Sequence, residues 1–268
     1  MSYIKPSLLI VVPTLDSYKL LPRLLDSLQA QTWPFWRVLF VDGPSSDIHR
    51  AWLSRTCALE PRCRCVPQDD SEPGIFGAMN IGFSYAKDND WVLFWGSDDW
   101  AAAPAVFENL FSLVENCFSS DSTPDLIACT GQYVSESSGA LMRAAFFRKA
   151  GIINEKTYRR SLFLGLTPPH QATLIGPSVH RYMPRYDTCF RLSADLDYFL
   201  RLGSKPHLCV HCIDLNIVYM SDAGISGKQT RRRLKEVFLA YSHTFSWFFW
   251  FPLISRYIIR ILSVIGIY

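Results

Sequence analysis

Residues 90–100 read DWVLFWGSDDW: a run of five apolar residues, Trp91 to Trp95, then Gly96 and Ser97, then two adjacent carboxylates, Asp98 and Asp99. A short continuous apolar run ended by a small-residue turn is the pattern of a strand covered on both faces. Carboxylates are rarely left unpaired at the edge of an apolar core, because burying an uncompensated charge is costly. The pair therefore calls for solvent, a cation or a partner, and a hard divalent ion holding a phosphorylated ligand meets that need best. A plainer alternative makes one Asp the N-cap of the helix expected in the AAAPAVFENLFSLV that follows.

Upstream, SLLIVV (Ser7 to Val12) is a second strand of the same buried type, ended by Pro13 and Thr14. Leu20, Leu21, Leu24, Leu25 and Leu28 recur at helical spacing, and WRVLFV (Trp36 to Val41) is the next strand, with Asp42 to Ser46 as its exit turn. Strand, helix and strand at this length predict a right-handed βαβ unit and a parallel sheet. A helix is expected from about Ile48 to Leu59, a strand from Arg64 to Pro67 and an acidic turn from Gln68 to Gly74. The helix after that turn presents Ala78, Met79, Ile81, Gly82 and Tyr85. Ligands of open α/β sheets sit at the carboxyl ends of the strands. Three such ends carry acidic or hydroxyl residues: Thr14 to Asp16, Asp42 to Ser46, and Ser97 to Asp99.

Downstream, a helix is expected over Pro104 to Cys117, a strand in LIACTGQYV, and a short apolar segment, ATLI, behind Pro168, Pro169, His170 and Gln171. Arg143 to Leu164 shows no clear period. RLSADLDYFLRLG (Arg191 to Gly203) reads as a helix N-capped by Ser193, with Asp195 in its first turn. SDAGISGKQTRRRLKEVF reads as a glycine-rich turn and a basic helix.

At 268 residues, 49% hydrophobic and 19% charged, the chain divides into an α/β domain over residues 1–236 and a hydrophobic C-terminal segment over residues 237–268. A net charge of +3 without a long basic tract gives no nucleic-acid footprint. The eight cysteines are expected to be reduced, because the apolar run Leu8 to Val12 is too short for a signal sequence. His207, Cys209, His211 and Cys212 have metal-like spacing, but their alternation suits a half-buried strand and no second ligand pair accompanies them. Pro252, Arg256 and Arg260 leave the tail no uncharged stretch of the ~20 apolar residues a membrane span requires. Trp247 to Phe251, close to Arg231 to Lys235, suit a segment lying in a membrane interface; a buried helix or a contact in a homo-oligomer is the alternative.

A crevice lined by Asp16, Asp42, Asp98 and Asp99 repels an anionic ligand unless magnesium or manganese joins it to a diphosphate. Carboxylates and turn backbone also accept hydrogen bonds from ribose hydroxyls and a base N–H, so a nucleotide fits. The absence of a Walker or GxGxxG loop argues against a P-loop ATPase or a dinucleotide enzyme.

PTLDSYKLLPRLLDSLQAQTWPFWRVLFVDGPSSD and EPGIFGAMNIGFSYAKDNDWVLFWGSDDW together resemble the nucleotide-sugar half of glycosyltransferase family 2. That family has Pro-Thr after the first strand, Asp-Gly-x-Ser after the second and an Asp-x-Asp-like pair after the fourth. PPHQATLI, SADLDYFLRL and AGISGKQTRRRLKE resemble its later segments, so the resemblance covers about Ser7 to Glu236. It implies an α/β, GT-A fold: a Rossmann-like, mostly parallel central sheet flanked by helices, here with an aromatic helical tail. It also implies inverting transfer of a sugar from a nucleoside diphosphate donor, a UDP-sugar, to a glycan or lipid-linked hydroxyl at the cytoplasmic face of the membrane. Cell-surface polysaccharide or glycolipid synthesis would be the setting.

By the same resemblance the donor is contacted by Pro13, Thr14, Asp16, Asp42, Gly43, Ser45, Glu72, Asn80 and Asp98, and Mn2+ or Mg2+ is held by Asp99. Asp195 aligns with the catalytic base, with Asp197 next in line, and His170, Gln171 and Arg231 are candidates for diphosphate or acceptor contacts. One departure stands out. Many members carry Glu-x-Asp-x-Gly-Ile-Tyr-Asp-Ala-Met-Asn where this chain has Asp70 to Asn80, so Glu72 replaces an Asp and Gly77 supplies no carboxylate. That departure keeps a non-catalytic nucleotide or polysaccharide module open as an alternative. A nucleotidylyltransferase is another, though Pro13 to Tyr18 lacks the basic glycine-rich loop it would need.

Overall fold

The computed structural model describes residues 6–118, 123–222 and 230–264. Strand β1 (Ser7–Thr14) lies at the middle of the first half, parallel to β2 (Trp36–Asp42) on one side and to β4 (Asp90–Phe94) on the other. Beyond β2 lies β3 (Cys63–Pro67), also parallel. Helices α1 (Leu21–Gln29), α2 (Asp47–Leu59) and α3 (Ile75–Ser84) make the crossovers. Pro22 falls in the first turn of α1, where a missing N–H breaks no helical hydrogen bond.

The period of two along β1 divides its side chains between two cores. Leu8, Ile10 and Val12 pack with the leucines of α1 and with Phe107, Leu110 and Val114 of α4 (Val106–Phe118). Leu9 and Val11 pack with Met79 and Phe83 of α3. Because α4 starts only at Val106, neither Asp98 nor Asp99 caps it. Trp100 and Ala101 instead form a two-residue strand, β5, too short to leave a pattern in the sequence.

The second half turns antiparallel. Strand β9 (Thr173–Ile175) runs antiparallel to both β4 and β6 (Leu126–Val134), and β6 runs parallel to β10 (Cys209–Ser221). The order is β3-β2-β1-β4-β9-β6-β10-β5, with β7 (Leu141–Ala145) on β6 and β8 (Gly151–Asn154) on β10. The patternless region thus contains part of β7, all of β8 and α5 (Glu155–Phe163). Its missing period has a cause: β7 is exposed along almost its whole length. Cys209 to Cys212 lie within β10 as a strand, while His207 precedes it at φ 57°. No group of three or more metal-ligating side chains occurs among the described residues.

Helices α6 (Pro177–Tyr182) and α7 (Ala194–Leu202) follow β9. Helix α8 (Thr230–Phe245) runs unbroken past residue 236 and buries Val237, Ala240 and Tyr241 in the same core as α3 and α7. A 3-10 turn, Ser246–Phe248, leads to α9 (Trp250–Val264). No described helix is long and apolar enough to cross a membrane. The glycine-rich segment at 223–229 lies outside the described residues.

Gly82 sets the distance between α3 and β1: a Cβ there would stand 2.4 Å from Val11 Cγ1. Gly82→Ala gains up to about 1 kcal/mol of helix propensity but overpacks the core by about 1–3 kcal/mol. A net loss of stability is expected in urea unfolding, and a variant more stable than the parent would show that α3 can retreat from the strand without penalty.

Candidate active site

The parallel register places Thr14 opposite Asp42 and Asp42 opposite Pro67, so the carboxyl ends of β1, β2 and β3 form one edge. Asp42 is buried, and Oδ1 accepts the hydroxyls of Thr14 at 2.9 Å and Ser45 at 2.7 Å. The wholly buried His49 brings Nε2 to 3.0 Å from the same oxygen. Oδ2 has no partner among the described residues. Ser45 Oγ accepts the Asp16 N–H at 3.0 Å, and the Gly43 N–H reaches Thr14 O at 2.9 Å. Asp16 is exposed at the mouth in the left-handed region, φ 49°. Its Oδ1 accepts the Ser46 hydroxyl at 2.6 Å and N–H at 2.8 Å, which hold its carboxyl below the usual range. Thr14, Asp16, Asp42, Gly43 and Ser45 therefore form one hydrogen-bonded unit. Pro13 belongs to it through its carbonyl, which accepts the Ser97 hydroxyl at 3.0 Å, while the Ser17 hydroxyl donates to Ser97 Oγ at 2.9 Å.

Asp98 and Asp99 fold back over Gly96. The Gly96 N–H donates to Asp99 Oδ2 at 2.6 Å, and a Cβ on Gly96 would lie 2.6 Å from Asp98 Oδ1. Asp99 is 3% exposed, and its burial, with Asp98 adding repulsion, pushes its carboxyl well up. Asp98 is half-buried; desolvation raises its carboxyl too, Glu136 adds to the effect and Arg23 opposes it. Two neighbouring carboxyls that both resist ionisation fit a cation shared with a ligand's phosphates better than a closed protein cage.

The acidic turn closes on α3. A Cβ at Gly77 would fall 1.8 Å from Glu72 O, so the turn occupies the space a side chain would need. The carboxylate absent at position 77 is thus replaced by loop backbone. Glu72 accepts Asn80 Nδ2 at 3.1 Å and pairs with Arg185, and Arg191 donates to Pro73 O. Asn80 Nδ2 also donates to Tyr186 O at 3.1 Å, while its Oδ1 accepts the Tyr186 N–H at 2.7 Å. The buried amide of Asn80 thus joins α3, the Glu72 turn and the Tyr186 segment.

On α7 the two acids separate. Asp197 is 3% exposed and accepts Arg201 Nε–H at 2.7 Å; burial still raises its carboxyl. Asp195 is half-buried and makes no hydrogen bond or ion pair among the described residues. Its charge acts on both His170 and Tyr186. His170 Nε2 is 2.8 Å from Tyr186 Oη, and its ring stacks on Phe94, the last residue of β4, with centroids 5.5 Å apart. Enclosure pushes the His170 imidazole below its usual range and keeps it neutral. Gln171 is fastened by its main chain, its carbonyl accepting Trp95 Nε1–H at 3.0 Å. Arg231 lies exposed at the start of α8.

Three residues escaped the sequence reading. Tyr186 and Glu236 act through partners far along the chain, His49 through Asp42 seven residues before it, and no local pattern marks them. Ser193 sits at the N-cap of α7 but makes no side-chain cap bond, correcting the expectation of a serine cap. Glu236 accepts the N–H groups of Arg191, Leu192 and Ser193, which lead into the helix.

The sequence profile described as Glycosyl transferase family 2 matches residues 9–163. The PGL/p-HBAD biosynthesis glycosyltransferases of Mycobacterium bovis and Mycobacterium tuberculosis are 24% identical over 224 residues, which span 82% of this chain and 78% of theirs. S. aureus TarS 1–349, solved in complex with UDP-GlcNAc, has a TM-score of 0.68 at 15% identity, covering 88% of this chain and 65% of that one. Mannosyltransferase PcManGT from Pyrobaculum calidifontis, solved with GDP-Man and Mn2+, gives 0.61 at 15% identity, covering 90% of this chain and 64% of that one. The chain spans just under two thirds of either solved chain, and these two likenesses show a shared fold.

Gly77→Ala should push the Glu72 turn off α3. A loss of about 1–3 kcal/mol and faster amide exchange across residues 69–74 are expected. Unchanged exchange in that turn would show that it does not depend on the missing side chain.

Proposed function

The chain belongs to glycosyl transferase family 2, and from that premise we propose that it is an inverting, metal-dependent hexosyltransferase using a nucleoside diphosphate donor, a UDP-sugar, and a hydroxyl of a glycan or lipid-linked acceptor. One observation carries the reading. At the carboxyl edge of β4 a desolvated carboxyl pair, Asp98 and Asp99, follows Phe94, whose ring stacks on His170, and the half-buried Asp195 acts electrostatically on that same histidine. The similar structures, solved with UDP-GlcNAc and with GDP-Man, support a nucleotide-sugar donor, and the PGL/p-HBAD biosynthesis role of the mycobacterial relatives supports a glycolipid acceptor. Gly77, which kept a non-catalytic module open, is accounted for by the packing of the Glu72 turn.

In this reading Asp16 and the Asp42 unit receive the base and ribose. Asp99, with Asp98 beside it, would hold a divalent ion, whose chemistry is to offset the diphosphate charge as the leaving group departs. Asp195 takes the proton from the acceptor hydroxyl as its oxygen bonds to the anomeric carbon. The bond from that carbon to the β-phosphate oxygen breaks on the opposite side, its electrons leave with the diphosphate, and the centre inverts. Asp197, already paired with Arg201, holds α7 together instead. Neutral His170, braced by Phe94 and Tyr186, walls the space between donor and base.

The tail fits peripheral contact with the cytoplasmic face of a membrane. Trp247 is 84% exposed, and Ile254, Ile258 and Ile261 lie on one outward face of α9. On α8 the exposed Leu234, Phe238 and Leu239 sit among Arg231, Arg232 and Lys235. Aromatic and aliphatic side chains beside basic ones match an anionic lipid surface.

Asp99→Ala should abolish manganese-dependent donor binding in calorimetry; unaltered affinity would remove the metal role. Asp195→Asn should keep donor affinity and lower kcat about a hundred- to ten-thousandfold, whereas undiminished turnover would end the base assignment. Replacing Trp247, Phe248 and Ile254 by serine should release the chain from phosphatidylglycerol vesicles in a sedimentation assay. If the parent chain ignores such vesicles but sediments as an oligomer that these changes dissociate, the surface is a subunit contact.

A further inference from the structure

Glu236 is the buried acid that the reaction leaves unused. It lies in the second turn of α8, in a stretch otherwise rich in arginine and lysine. Its Oε1 accepts the Arg191 N–H at 3.0 Å, and its Oε2 accepts the N–H groups of Leu192 at 2.7 Å and Ser193 at 3.0 Å. Arg232 donates Nε–H to Oε1 at 3.1 Å from the preceding turn. These three backbone donors lead directly into α7, whose first two residues are Ala194 and Asp195.

The backbone donors at a helix start normally find a nearby capping side chain. Ser193 makes no such bond, and a carboxylate 43 residues further along instead gathers the N–H of Ser193 itself and those of the two residues before it. Bonds to an ionised acceptor are stronger than neutral ones, and three of them converging on one carboxylate fix the entry to α7 relative to α8. This matters for Asp195 in particular. Its side chain has no hydrogen-bonding partner among the described residues, so its position is set by the backbone that carries it.

We propose that Glu236 is a positioning residue for glycosyl transfer: it fixes the first turn of α7 so that the Asp195 carboxylate meets the acceptor hydroxyl. The proposal rests on Asp195 as the base. A displacement of about 1 Å at a reacting group costs about a hundredfold in rate, so loosening this anchor reaches chemistry before it reaches donor affinity.

The test is E236Q in the full chain, alone and combined with D195N. E236Q should lower kcat about 10- to 100-fold while donor affinity in calorimetry and donor KM change less than about twofold. The double variant should be no slower than D195N alone, because a group acting through Asp195 has nothing left to position. Wild-type kcat in E236Q overturns the proposal, as does a double variant whose loss is the product of the two single losses. D195N alone reports on the base assignment, so the two readings fail separately. Should E236Q melt below the assay temperature, E236D carries the test. It keeps the charge on a side chain one methylene shorter, and a smaller loss confined to kcat is expected, whereas an equal loss of donor affinity overturns the proposal.

Discussion

Strand β1 is hydrogen-bonded to parallel partners on both sides and, past Ser7, buried on both faces, so from Leu8 onward it has no place for a polar side chain until it ends. The next polar residue is Thr14, and the ladder has already put it opposite Asp42. The polar chemistry of the first half is therefore forced to one edge of the sheet, where Thr14, Asp42 and Ser45 hold one another and Pro13 is tied to Ser97. The site is the place where a continuous apolar ladder stops. Its residues come from distant parts of the sequence because the strands that deliver them are adjacent only through crossovers.

The carboxylates at this edge differ in what they already have. Asp42 receives two hydroxyl donors, and His49 lies beside the same oxygen, so its burial is compensated within the protein. Asp99 is as deeply buried, with one backbone N–H and a second carboxyl next to it. Desolvating an ion costs several kcal/mol, and a single hydrogen bond returns about 1.5–3 kcal/mol of that. The imbalance separates a carboxylate whose burial is compensated from one whose burial is not. Asp197 and Asp195 differ in the same way, the first paired with Arg201 and the second open.

What could be read from the sequence follows from this division. Strands β1, β2 and β4 were plain because burial on both faces leaves an uninterrupted apolar run, and the carboxylates at their ends followed from the rule for open sheets. Strands β7 and β8 were hidden because exposed edges impose no alternation. Asn80 and Gly77 sat inside a recognisable motif, yet their tasks depend on Tyr186 and Glu72, and only the folded chain brings those partners to them. Ser193 does sit at the N-cap of α7 but makes no cap bond, while Glu236 of another helix holds the three residues that lead into it. Local rules identify candidates for a bond, and tertiary packing decides which candidate makes it.

The C-terminal segment shows the same principle at larger scale. Its composition suggests an appendage beginning at Val237, but Val237, Ala240 and Tyr241 are core residues. Helix α9 then approaches the loop ahead of His170 so closely that a Cβ on Gly165 would lie 2.5 Å from Arg256 N. Ser255 Oγ donates to Leu164 O at 2.6 Å, and Arg256 donates to Thr167 Oγ1 at 2.9 Å. Gly165 meets this contact at φ 81°, a conformation glycine adopts without strain. The inner faces of α8 and α9 are thus walls of the body that holds Asp195 and His170, and only their outer faces carry the unburied aromatics and isoleucines. Whatever those outer faces meet is thereby held at a fixed orientation to Asp195 and His170, because the same two helices are bonded to the residues leading into α7 and to the loop before His170.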